Sequence, residues 1–168
     1  NILVLSSGGY GHVAIPLLKG PLKRCDPLEN HEFLISFPGS VAHAPGELRE
    51  IMAGVVSSWS AENNISSFIG RAENWKKIMC DSHLTLCPRG YGRTSYRLAE
   101  SIQLGRVPVF IYSDVLWVPY PHLYEKIGYA ANIYNIGNVL QDVLQASPPE
   151  IAHRESILTS ISESHFTY

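Results

Sequence analysis

One run of residues constrains the fold more than any other. Val107–Tyr112 (VPVFIY) is apolar to its end, too short for an ordinary helix, and followed by a polar turn. Such a run reads as a strand buried on both faces, which is the situation of a strand inside a parallel sheet. The pattern recurs. Residues 1–6, 32–37, 65–69, 83–87 and 131–134 read as further short strands, the first of them buried, and 12–15 as an extended piece ended by Pro16. Between them lie helical periods of roughly ten residues. Pro45 opens one, with Glu47, Leu48, Ile51, Met52 and Val55 behind it. Others cover 73–80, where Trp75 and Met79 share a face, and 94–104, 139–145 and 150–162, the last two divided by Pro148-Pro149. Short strands alternating with helices imply an α/β fold with a parallel sheet covered by helices on both faces. In a doubly wound sheet, ligands bind outside the carboxyl ends of the strands. The loops after Phe37, Cys87 and Tyr112 are therefore the places to look.

Composition narrows the class. At 168 residues the chain has the length of one domain. Its apolar fraction of 45% and charged fraction of 17% suit a folded protein. A net charge of -2 and the absence of a basic run give no support to nucleic-acid binding. The three cysteines, Cys25, Cys80 and Cys87, include no CxxC pair and no zinc-type spacing. They allow at most one internal disulfide, and Cys80 and Cys87 read as buried thiols. No apolar stretch is fit to cross a bilayer. The chain begins at Asn1, so it reads as a fragment or a chain with its front removed, which leaves room for a membrane anchor upstream. Residues 20–30 read as a connector.

The chemistry concentrates in one stretch, HLTLCPRGYGRTSYRLAESIQLGRVPVFI at 83–111. It reads as strand, glycine loop, helix, glycine stop and second strand. Gly90 and Gly92 let the loop backbone approach a ligand. Thr94 and Ser95 stand at the helix start, where free N–H groups favour an anion. Arg89, Arg93 and Arg97 put three cations around that end, a set matched to a diphosphate. Glu100, three residues after Arg97, shares its helix face and can accept hydrogen bonds from the vicinal hydroxyls of a ribose. Taken alone, the same cluster also describes a solvated surface with a local ion pair.

The run resembles the signature of the exostosin family of glycosyltransferases. The residues that carry the resemblance are Cys87, Pro88, Gly90, Ser95, Arg97, Glu100, Gly105, Pro108 and Val109, followed by Asp114 and Pro119-Tyr120. Upstream, FLISFPGS at 33–40, Arg49 and HVAIP at 12–16 match further pieces in order. There are departures. Arg106 stands where relatives often carry Cys, which puts a disulfide expected in them in doubt. His12 replaces an Asp, and Tyr129 lies near a position often held by Trp.

The resemblance implies the C-terminal, Rossmann-like half of a GT-B-type glycosyltransferase, with 1–30 as the end of an N-terminal domain or linker and 31–168 as the nucleotide-sugar-binding domain. It implies transfer of a sugar from a UDP-sugar to a glycan hydroxyl with inversion, in glycan biosynthesis. Arg89, Gly90, Gly92, Arg93, Thr94, Ser95, Arg97, Glu100 and Asp114 would bind the donor. Arg97 would meet charge developing on the leaving diphosphate. The acceptor would be held by a missing N-terminal domain, and the general base is not assigned to this chain. By family default the protein would face the Golgi lumen from its membrane. No Asp-x-Asp occurs, so neither a metal requirement nor any other cofactor is expected. The alternative is a catalytically inactive module of the same fold that binds a glycan or partner.

Other residues read more plainly. SGGYGHVAIP at 7–16 also resembles the opening of the N-terminal domain in other two-domain glycosyltransferases, which would bring His12 to an active site. About seventy residues separate it from the donor loop, too few for an acceptor domain, so a turn closing the linker is preferred. The loop 88–95 lacks the Gly-Lys-Ser/Thr ending of a P-loop. Trp59, Trp75 and Trp117 read as packing residues, with Trp117 the best placed to be a sugar platform. Asp114 reads equally as a donor contact or a turn cap.

Overall fold

The computed structural model describes residues 2–26 and 31–167. Asn1, at the start of the expected first strand, and 27–30, in the expected connector, lie outside the described residues. Five parallel strands form the main sheet: β3 (Phe33–Pro38), β4 (Ser67–Gly70), β5 (Ser82–Pro88), β6 (Val107–Tyr112) and β7 (Tyr129–Asn132). Their spatial order is β4-β3-β5-β6-β7. The preceding pair, β1 (Leu5–Ser6) and β2 (Val13–Ala14), is parallel and separate.

The apolar run that announced a parallel sheet sits where it should. β6 pairs with β5 on one side and β7 on the other, and Val107 to Ile111 are buried. Helices cover both faces. α1 (Leu48–Glu62) packs against α5 (Ile136–Gln145) on one. On the other lie α2 (Trp75–Cys80), α3 (Tyr96–Leu104), α4 (Pro121–Ile127) and α6 (Pro148–Phe166). α1 turns Leu48, Met52, Val56 and Trp59 into the core, the stripe that its helical period predicts. α3 stops at Gly105, whose left-handed φ of 76° closes the helix. Buried polar groups on the sheet are satisfied locally. The Ser82 hydroxyl donates to the carbonyl of Ile78 at 2.6 Å, and Ser101 donates to the carbonyl of Arg106 at 2.7 Å.

Four expectations are corrected. The strand expected over 1–6 is only Leu5–Ser6, and it is exposed: Ile2 is 84% and Leu5 55% accessible. α4 had no place in the sequence reading. Pro121 stands at its first helical position, where a missing N–H costs nothing. The helix expected from Thr94 starts at Tyr96, because Ser95 remains extended. Cys80 is no free thiol. It is bonded to Cys25, leaving Cys87 buried and free, its thiol pushed up by burial to about 12.

The strand order locates the site. From β3 the chain moves outward to β4, then crosses back over β3 to β5 and continues through β6 to β7. The direction of winding thus reverses between β3 and β5. A crevice opens at the carboxyl ends of such a pair.

Candidate functional site

A cavity of about 380 Å³ lies at that reversal. Gly39 and Ser40, after β3, form one wall. Gly90, Tyr91, Gly92, Thr94 and Ser95, after β5, contribute the other, and Tyr96, Arg97 and Glu100 of α3 form the floor. The Gly90 N–H donates to the carbonyl of Thr94 at 3.0 Å, folding the loop into a tight turn. At Gly92 a side chain has no room, since a Cβ would sit 2.8 Å from the Gly8 carbonyl oxygen. The 7–11 turn therefore packs directly on the loop, and the Arg93 N–H donates to that same carbonyl at 3.0 Å. The Ser95 hydroxyl makes no capping bond, and of the first-turn N–H groups of α3 that of Leu98 donates to the Ser95 carbonyl at 3.1 Å.

Arg97 and Glu100 meet as their spacing predicts, at 2.8 Å. The Arg97 guanidinium also donates to the carbonyl of Pro38 at 2.9 Å and lies 4.8 Å from the centroid of the Trp75 ring. These contacts hold it flat across the end of β3. Glu100 is 6% exposed, and its other oxygen is taken by Lys19 from the segment before β3. Arg49 of α1 closes the back of the cavity, donating to the carbonyls of Arg89 at 3.1 Å and Ser40 at 3.0 Å. Burial, and then the neighbouring Arg97 cation, draw its pKa below the usual arginine value, with Glu50 opposing.

The nine residues predicted for donor binding fall into two groups. Gly90, Gly92, Thr94, Ser95, Arg97 and Glu100 line the cavity. Arg89, Arg93 and Asp114 form a brace beside it. Arg89 is 3% exposed and spends its donors on the carbonyls of Gly92 and Tyr91, both at 3.2 Å, and on Asp114. Arg93 reaches Asp114 at 2.8 Å and the Gly9 carbonyl at 3.0 Å. Partial burial alone would raise the Asp114 carboxyl. Hydrogen bonds from Arg93, the Val115 N–H and Arg89 outweigh it and hold the pKa down at about 2. The brace ties the loops after β5 and β6 to the glycine turn.

Sequence reasoning assigned no ligand contact to Arg49, Ser40, Tyr91 or Tyr96, which line the cavity, nor a site role to Lys19 and Trp75, which hold Glu100 and Arg97. Arg49 belonged to the family pattern without a role, and Trp75 was read as packing. Nothing local marks Lys19. Trp117 donates from Nε1 to the Ser6 carbonyl at 3.2 Å and so packs under the exposed β1 instead of forming a platform. His12 accepts at Nδ1 from the Val4 N–H at 3.0 Å, as a residue closing a turn. Among the described residues no cluster of three or more His, Cys, Asp or Glu side chains could hold a metal ion.

A second cavity, about 280 Å³, opens at the amino ends of β3 and β5 between α5 and α6. His31 and His83 line it with ring centroids 3.8 Å apart. Burial first, then the neighbouring His83 and Arg106, lower His31 to about 4, against weaker opposing effects of Asp81 and the Cys80 backbone.

No protein-family model matches the chain. Solved structures do. A mutant of S. aureus TarM, in complex with fondaparinux, alpha-GlcNAc-glycerol and UDP, superposes with a TM-score of 0.63 at 16% identity, covering 90% of this chain. The GtfA/B complex gives 0.60 at 14% identity over 90%. WaaG, a glycosyltransferase involved in lipopolysaccharide biosynthesis, gives 0.50 at 16% over 82%. The chain shares the α/β, Rossmann-like parallel-sheet fold of the matching parts of these structures. The chain spans 36% of the TarM and GtfA/B chains and 44% of WaaG.

Proposed function

We propose that this chain is the donor-binding, C-terminal half of an exostosin-like, inverting glycosyltransferase that uses a UDP-sugar. The observation that carries the reading is the Arg97–Glu100 pair on the floor of the cavity at the β3/β5 reversal, beside the uncapped start of α3. A diphosphate seated against the first-turn N–H groups would meet Arg97, whose fork has five N–H donors and retains some after its protein contacts. Glu100 would accept from the ribose hydroxyls one turn further along. In the transition state the sugar–oxygen bond lengthens and negative charge gathers on the diphosphate. Arg97 and the α3 N-terminus stabilise that charge without moving. The base that takes the acceptor proton belongs to the other domain, which also holds the glycan acceptor. Binding is expected without a metal. A lumenal Golgi location is part of the proposal, and the Cys25–Cys80 disulfide suits an oxidising compartment.

The test is a backbone amide NMR titration with UDP. Shifts confined to residues 39–40 and 90–97 are expected. Shifts centred on His31 and His83 instead would place the ligand at the opposite end of the sheet and refute the assignment.

A further inference from the structure

We infer that Lys19 is a positioning residue for nucleoside recognition: it holds the Glu100 carboxylate for the ribose hydroxyls and frees Arg97 for the diphosphate. The inference rests on the proposed donor site. Its starting point is a conflict of duties. Arg97 is paired with Glu100 at 2.8 Å, yet it is also the cation of α3 that faces the expected diphosphate. Glu100 is 6% exposed, and a carboxylate this buried is costly when left without a cation. When Arg97 turns part of its fork to a phosphate oxygen, Glu100 needs a second partner. Lys19 is that partner, on the oxygen that Arg97 does not hold. A carboxylate offers about four lone-pair sites, so two cations and two hydroxyls can share it.

The protein is built to bring Lys19 there. Gln103 lies one turn beyond Glu100 on α3 and is 4% exposed. Its Oε1 accepts from the Leu22 N–H at 3.0 Å, while its Nε2 donates to the carbonyls of Phe166 at 2.7 Å and Lys19 at 3.4 Å. The backbone of Lys19 bridges Thr167 at the end of α6. Further along, the Cys25 N–H donates to the Leu104 carbonyl at 3.2 Å, and the Cys25–Cys80 disulfide pins the same segment beside α2. The segment before β3 is thus fastened along α3 at several points, and the Lys19 side chain it carries ends on Glu100. The Lys19 ammonium also stands 5.6 Å from the centroid of the Tyr96 ring at the cavity edge, a second restraint on its position.

The experiment compares UDP with 2′-deoxy-UDP by calorimetry, on wild type, Lys19→Met, Lys19→Arg, Glu100→Gln and the Lys19→Met/Glu100→Gln pair. Wild type should prefer UDP about tenfold, the size of one lost charge-assisted hydrogen bond. Lys19→Met should cut that preference to about threefold or less, and Lys19→Arg should restore it. In the Glu100→Gln background Lys19→Met should change the ratio no further. If Lys19→Met weakens both nucleotides equally, Lys19 acts on the phosphates or on the fold, and the inference is overturned. If wild type binds neither nucleotide, the donor-site reading fails and takes the inference with it. If wild type binds both without preference, the ribose role of Glu100 fails, and the inference with it.

Discussion

Replacing both Cys25 and Cys80 by Ser should lower the melting temperature by about 12 °C. The bond closes a loop with a sequence separation of 55. In the chain-entropy description, releasing a loop of that length returns about 14 cal/mol/K to the unfolded chain, or about 4 kcal/mol at 25 °C. A chain of 168 residues unfolds with an entropy of about 350 cal/mol/K, so 4 kcal/mol becomes about 12 °C. The double substitution is the right perturbation, because either single one leaves a thiol able to react with a second molecule. Cys87 is buried and takes no part. Scanning calorimetry of wild type and double variant measures the difference, with wild type in reductant as an internal check. The variant should also bind UDP more weakly, because the segment carrying Lys19 loses its pin. A drop under about 4 °C would refute the argument. It would mean that the unfolded chain already keeps these two positions close, and that the covalent link adds little.

Three further outcomes follow from the geometry. Gly92→Ala places a methyl 2.8 Å from the Gly8 carbonyl oxygen. The loop must shift, which should weaken UDP binding about tenfold by calorimetry with little change in melting temperature. Asp114→Asn should cost about 1 kcal/mol in urea unfolding at pH 7. The drop of its pKa from 3.8 to about 2 would give ~2 kcal/mol unscreened, and solvent at a carboxylate 40% exposed reduces that to about 1 kcal/mol. A depressed acid stabilises the fold above its unfolded pKa, so this cost should fade as pH drops below 3.8 and vanish near 2. His31 has the opposite charge logic. Its folded pKa of about 4 lies below the ordinary 6.5, so the unfolded chain binds more protons between those values. Stability should therefore fall as pH is lowered from 6.5 to 4, and His31→Gln should flatten that slope in a pH series of urea melts.

Much of the fold was legible because its strands are buried on both sides. A strand such as Val107–Tyr112 has to be apolar along its whole length, and a run that short ends before a helix would. The glycine loop and the Arg97–Glu100 spacing were legible for the same reason, since a sharp loop and a shared helix face are local properties. What stayed hidden is non-local. Lys19 lies 81 residues from Glu100, and Cys25 55 from Cys80. All three cations near the helix end were expected to bind the donor. The packing puts Arg97 on the cavity floor and leaves Arg89 and Arg93 to the side, held by Asp114 and the loop carbonyls. α4 was missed because Pro119 and Pro121 signal a turn and a helix start with equal force.

The central claim is that the cavity holds a nucleoside diphosphate through Arg97 and Glu100. The direct measurement is calorimetric titration of UDP in EDTA into wild type, Arg97→Ala and Glu100→Ala, each shown to be folded by circular dichroism. Binding that survives EDTA in wild type and weakens at least about tenfold in both variants is the predicted result. A folded wild type that takes up no UDP, or variants that bind as tightly as wild type, would contradict it.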